Sequence, residues 1–172
     1  MACHYVGSYW LVIDSLTKTI DPVNFIVILY QFGRQASVPH LIVEYSGNIE
    51  DQMDLAGLLD KLHEAASESG IFPLGGLRTR AERRNHYRIA DCHPDNGFVH
   101  VTAMVGHGRE LGVRRRVGED LFRVICKHLG PLYEQIPLGI SFNIKEFHSE
   151  LNFKKNNLHE YVKTRNKVNH RT

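Results

Sequence analysis

From residue 39 onward the apolar positions fall into short, regular patterns, and before it they do not. PHLIVEYS (39–46) is a run rich in β-branched residues with a polar end and predicts a strand. Asp51 or Asp54 can then cap a helix whose apolar positions are Leu55, Leu58, Leu59, Leu62, Ala65 and Ala66. Those steps of three and four make one apolar stripe, and Gly70 supplies a natural stop. FPLGGLRTR (72–80) reads as a strand with a glycine bend, which puts Arg78 at a strand end after two glycines. The polar stretch 81–97 reads as a loop or irregular hairpin closed by Pro94 and Asn96-Gly97. FVHVTAMV (98–105) predicts a strand. A second helix carries Val117, Leu121, Val124, Ile125, Leu129 and Leu132 on one face and ends at Gly130-Pro131 or Pro137. LGISFNIKEF (138–147) alternates as a strand does, and LNFKKNNLHEYV (151–162) reads as a short terminal helix or arm.

The order is β-α-β, loop, β-α-β. Each half predicts a parallel pair crossed by a helix. The expected fold is α/β (α+β): two βαβ units forming one four-stranded sheet with two helices on one face. The other face needs a cover, which in a chain of 172 residues points to self-association.

The first 38 residues differ. YWLVIDS and NFIVILYQF are apolar clumps without helical or alternating period. Asp14, Lys18 and Asp21 stand upstream of NFIVILY, where a signal peptide would carry positive charge. No run approaches the 18 apolar residues of a membrane span. The division into segments is therefore 1–38, an extension; 39–162, the ordered domain; and 163–172, a basic tail with Lys163, Arg165, Lys167 and Arg171 and no acid. The tail reads as a solvated terminus.

Composition adds little. Apolar residues at 42% suffice for one core, and a net charge of +2, carried by the tail, gives no argument for nucleic acid. FVHVTAMV also lacks the stacked aromatics of an RNA-binding sheet. Cys3, Cys92 and Cys126 have no paired spacing, which fits a reducing cytosol. His93, His100, His107 and His148 show no metal-ligand spacing, and Cys126 and His128 fall on different faces of one helix. The run Arg114, Arg115, Arg116 reads as a solvated face with pairs Arg115–Glu119 and Arg116–Asp120. Arg78, and Arg109 after Gly106-His107-Gly108, lie at strand ends where two guanidiniums can hold carboxylates. Pro39, on residue pattern alone, starts an edge strand.

From Pro39 the letters resemble the 5-carboxymethyl-2-hydroxymuconate isomerase family of the tautomerase superfamily. PHLIVEYS, GIFPLGGLRTR, FVHVTAMVGHGR and SFNIKEFHSELNFKKNNLH carry the resemblance. It implies two βαβ units assembled as a homotrimer, with no metal or organic cofactor. It implies an amino-terminal proline as the catalytic base, the position of Pro39. Arginines matching Arg78 and Arg109 hold the carboxylates of a small-molecule substrate, with Arg80 as a further candidate. The activity implied is the 1,3-allylic ketonisation of 5-carboxymethyl-2-hydroxymuconate in homoprotocatechuate (4-hydroxyphenylacetate) degradation, in the cytoplasm, without nucleic-acid or membrane partners. The chain departs from this pattern at one point: Val38 precedes Pro39, and an amide nitrogen inside a chain has no basic lone pair. A valine codon, GTG, can initiate translation, so residues 1–38 are expected to lie upstream of the true start; a leader removed by processing is the other way to free Pro39. The alternative is a binding module, or another tautomerase, on the same fold with Pro39 blocked by the extension.

Overall fold

The structure is a computed structural model that describes residues 38–169. The readings made for residues 1–37 and for 170–172 lie outside the described residues. Four strands form one sheet: β1 (His40–Ser46), β2 (Arg78–Arg84), β3 (Gly97–Val105) and β4 (Leu138–Glu146). Their order is β2-β1-β3-β4, with β1/β2 and β3/β4 parallel and the central β1/β3 pair antiparallel. The two expected βαβ units are present, joined through their first strands. The helices are α1 (Leu55–Glu68), α2 (Leu111–Tyr133) and a terminal α3 (Leu158–Asn169).

Alternation decides the faces. Leu41, Val43 and Tyr45 of β1 and Val99, Val101, Ala103 and Val105 of β3 are buried on one face. Leu58, Leu62 and Ala66 of α1 and Val117, Leu121, Ile125 and Leu129 of α2 close the same core. His63 of α1 bonds Thr79 of β2 at 2.9 Å, and Thr79 pairs with Leu41. Gly118 of α2 sits so close to Ile144 and Phe142 that a Cβ there would lie 3.2 Å from Ile144. Ile144 pairs with Ala103, so both helices cover the face that carries Leu41 and Ala103. The opposite face carries Arg78, Arg80, His40, Ile42, Thr102, Met104, Asn143 and Lys145, and neither long helix packs on it.

Several boundaries differ from the pattern. β2 opens at Arg78 instead of closing there. Residues 73–77 form a turn in which Gly76 N and Leu77 N both donate to the Pro73 carbonyl, at 2.8 and 3.0 Å. Pro73 lacks a ladder donor, so the chain turns before it pairs. β2 also runs to Arg84, through residues read as loop. Its charged side chains are tolerated because Arg84 bonds both Glu44 and Glu82 on the open face. β1 is an inner strand, so Pro39 does not start an edge. α2 continues through Gly130 and Pro131 to Tyr133. Pro131 removes one donor near the last turn, and Glu134 N still closes on Gly130 O at 3.1 Å. The tail residues up to Asn169 belong to α3, where Lys163 pairs Glu160 at 3.0 Å.

Candidate active site

The antiparallel centre of the sheet gathers the site. Because β1 and β2 start where β3 and β4 end, one end of the sheet collects Pro39, Arg78 and the 106–109 loop. His40 stands opposite Arg78 on one side and Met104 on the other, and Met104 opposite Lys145. Pro39 is buried, and its carbonyl accepts the Arg78 N–H at 3.1 Å. It lies one residue before the ladder, where a missing N–H costs no strand bond.

Both arginines are aimed by backbone carbonyls of one connection. Arg78 Nη1 donates to Gly76 O at 2.6 Å. Arg109 donates through Nη1 to Gly106 O at 2.8 Å and through Nη2 to Ile71 O at 2.6 Å. Segment 71–76 therefore orients two guanidiniums that are 31 positions apart in sequence. Each is half-buried at this end of the sheet, and a guanidinium held by carbonyls on one side can present its other N–H groups to a carboxylate. Arg80 is more exposed; its Nη1 lies 2.9 Å from His40 Nδ1 and its Nε 3.5 Å from Glu82.

His40 was not singled out from the sequence, although it adjoins Pro39. Burial, and then the guanidiniums of Arg80 and Arg78, hold its pKa below the usual histidine value. Its neutral Nδ1 accepts from Arg80, and its ring meets Phe147 edge-on at 5.9 Å. Arg114 also differs from expectation. It leaves the solvated run and pairs with Glu146 at 2.8 Å, both side chains being 25% exposed. Glu146 accepts the Gly108 N–H at 3.1 Å with its other oxygen, which steadies the loop carrying Arg109. Gly108 has φ +86°, open to glycine at little cost. Arg115 pairs with Glu119 as expected, whereas Asp120 pairs with Arg123.

The four histidines of the metal reading are dispersed. His93 lies in the loop at the far end of the sheet, His100 bonds Ser141 at 2.7 Å on the open face, and His148 accepts from Glu150 N. Among the described residues no three His, Cys, Asp or Glu side chains gather around a point. His128 is engaged at both nitrogens, with Lys61 at 3.1 Å and the Asp54 carbonyl at 2.7 Å.

Two βαβ units joined in one sheet in this way have known counterparts. Residues 39–162 match the family described as 5-carboxymethyl-2-hydroxymuconate isomerase. The chain belongs to this family. A curated relative, the 5-carboxymethyl-2-hydroxymuconate Delta-isomerase of Escherichia coli, is 43% identical over 126 residues, 73% of this chain and 100% of that protein. That relative is matched over its whole length. The crystal structure of a 5-carboxymethyl-2-hydroxymuconate isomerase from Deinococcus radiodurans R1 superposes with a TM-score of 0.69 at 36% identity. It covers 74% of this chain and 96% of its own. At the level of fold alone, a fused 4-OT asymmetric trimer aligns with a TM-score of 0.51 at 16% identity, over 72% of this chain and 98% of its own. The chain has the tautomerase fold that the family resemblance implied, built from the two βαβ units that the residue pattern predicted.

Proposed function

We propose that the chain from Pro39 onward is an isomerase that ketonises 5-carboxymethyl-2-hydroxymuconate by proton transfer through Pro39. The observation that carries this reading is the buried Pro39 joined to the first residue of β2, Arg78, in a chain of this family. With Pro39 as the terminus, its nitrogen is a secondary amine. Burial disfavours the ammonium form, which favours a neutral amine able to accept a proton. It takes the proton of the 2-hydroxyl and delivers one to C5, while the C=C bond moves to give the 2-oxo-ene isomer. Arg78 and Arg109 hold carboxylates of the substrate and offset charge on the dienolate, and Arg80 adds to the positive field.

The same reading makes residues 1–38 precede the functional start. It places the enzyme in the cytoplasm, a placement supported by the free thiols of Cys92 and Cys126. Among the described residues no helix is long and apolar enough to cross a membrane. It also makes the assembly a homotrimer, supported by a sheet face that α1 and α2 leave open.

Two proteins test the proposal: the 172-residue chain, and a chain starting Met-Pro39 made in a host that trims Met. The trimmed protein is expected to ketonise the substrate, with activity rising with pH through an amine pKa below the ordinary α-amino range of roughly 7.7–8.0. The uncleaved chain is expected to be inactive. Equal rates from both would remove Pro39 as the base.

A further inference from the structure

The two βαβ units end at Glu146, yet the chain returns to the site afterwards. Asn156 Nδ2 donates to the Gly75 carbonyl at 2.9 Å, across 81 positions of sequence. His159, in the first turn of α3, lies directly against Gly75. A Cβ on Gly75 would meet His159 Nδ1 at 2.5 Å and its Cα at 2.7 Å. Gly75 and Gly76 are both buried beneath this contact.

That peptide unit is fixed at both ends. Its carbonyl, Gly75 O, accepts from Asn156, and its N–H, Gly76 N, donates to Pro73 O at 2.8 Å. The next carbonyl along, Gly76 O, is the acceptor that aims Arg78 Nη1. A rotation of the 75–76 peptide therefore swings the acceptor that orients the guanidinium. We propose that Asn156 is a positioning residue for Arg78, acting through the Gly75–Gly76 peptide, with His159 pressing the same turn into place. The segment after β4 then serves carboxylate recognition. The inference rests on the carboxylate-holding role proposed for Arg78.

Asn156 offers a clean substitution because its two carboxamide atoms do different work. Oδ1 accepts from Leu158 N at 2.9 Å and leads the chain into α3, while Nδ2 holds Gly75. Asn156→Asp keeps the acceptor, at a helix N-terminus that favours negative charge, and replaces the donor with a carboxylate oxygen that cannot bond the Gly75 carbonyl. Gly75→Ala adds no charge and pushes His159 off the turn. Both are made in the chain starting at Pro39, alone and combined with Arg78→Ala. The measurement is the affinity for muconate, a dicarboxylate that lacks the 2-hydroxyl and cannot ketonise, by titration calorimetry, together with kcat and KM.

Each single variant is expected to weaken muconate binding and raise KM about tenfold, with kcat changed less and thermal melting preserved in Asn156→Asp. In the Arg78→Ala background neither should weaken binding further, because the group they position is gone. Native affinity in Asn156→Asp beside weakened Arg78→Ala overturns the inference alone. A loss that persists in full in the Arg78→Ala background overturns it too, since the effect then bypasses Arg78. Native affinity in Arg78→Ala itself overturns the role of Arg78, and the inference falls with it.

Discussion

Pro39 and His40 are neighbours in sequence with different surroundings. Pro39 is buried at the start of the core face, and His40 turns to the open face between Arg78 and Arg80. A histidine whose folded pKa lies below its unfolded value binds its proton first in the unfolded chain. Its contribution to stability is then complete above the unfolded value of about 6.5 and is lost as pH falls from there through the folded value. The melting temperature should accordingly drop on acidification below pH ~6.5, and His40→Gln should flatten that part of the profile. An unaltered acid slope in the variant would show that His40 is not its source. The arginines make the sharper contrast. Arg78→Ala and Arg109→Ala should each lower kcat/KM on the order of 100-fold or more, as losing a charge-assisted contact in a half-buried site does. Arg115→Ala removes a side chain that is 77% exposed and paired only on the helix surface, and should change the rate little. Equal losses at Arg109 and Arg115 would undo the assignment.

Among the elements, α1 is the one whose start and stop were both legible. Asp54 Oδ1 accepts the Gly57 N–H at 3.0 Å, and Gly70, at φ +74°, follows the last turn. Asp54→Ala should cost about 1 kcal/mol in denaturant unfolding, because the cap bond is lost while the helix keeps its buried stripe. No loss of stability would mean that His128, which holds the Asp54 carbonyl, secures the helix start by itself. β2 was misplaced by half its length for a physical reason. A strand reading RTRAERR has no apolar period, and it forms here because β1 beside it offers a full ladder and Glu44 as a partner. The extent of α2 past Pro131 has the same kind of cause. Leu129 and Leu132 are buried against the core, and their packing holds the last turn despite one missing donor.

For the whole molecule, the open sheet face sets the expectation. Its row Arg78, His40, Met104, Lys145 and the next row Arg80, Ile42, Thr102, Asn143 mix charge with apolar surface. Sedimentation of the chain starting at Pro39 should give a trimer at micromolar concentration, and a clean monomer would count against the assembly. The sequence by itself determined the two βαβ units, their helical stripes and the parallel pairing within each. Those follow from local periodicity and from the handedness of short crossovers. It also determined the candidates Pro39, Arg78 and Arg109, through resemblance and through their places next to strands. Only the tertiary structure decided that β1 lies inside the sheet. Only it decided that Arg114 serves Glu146, that His40 sits among guanidiniums, and that Asn156 reaches Gly75. Each of these depends on strands pairing across long sequence separations, and contacts of that kind leave no period in the chain that makes them.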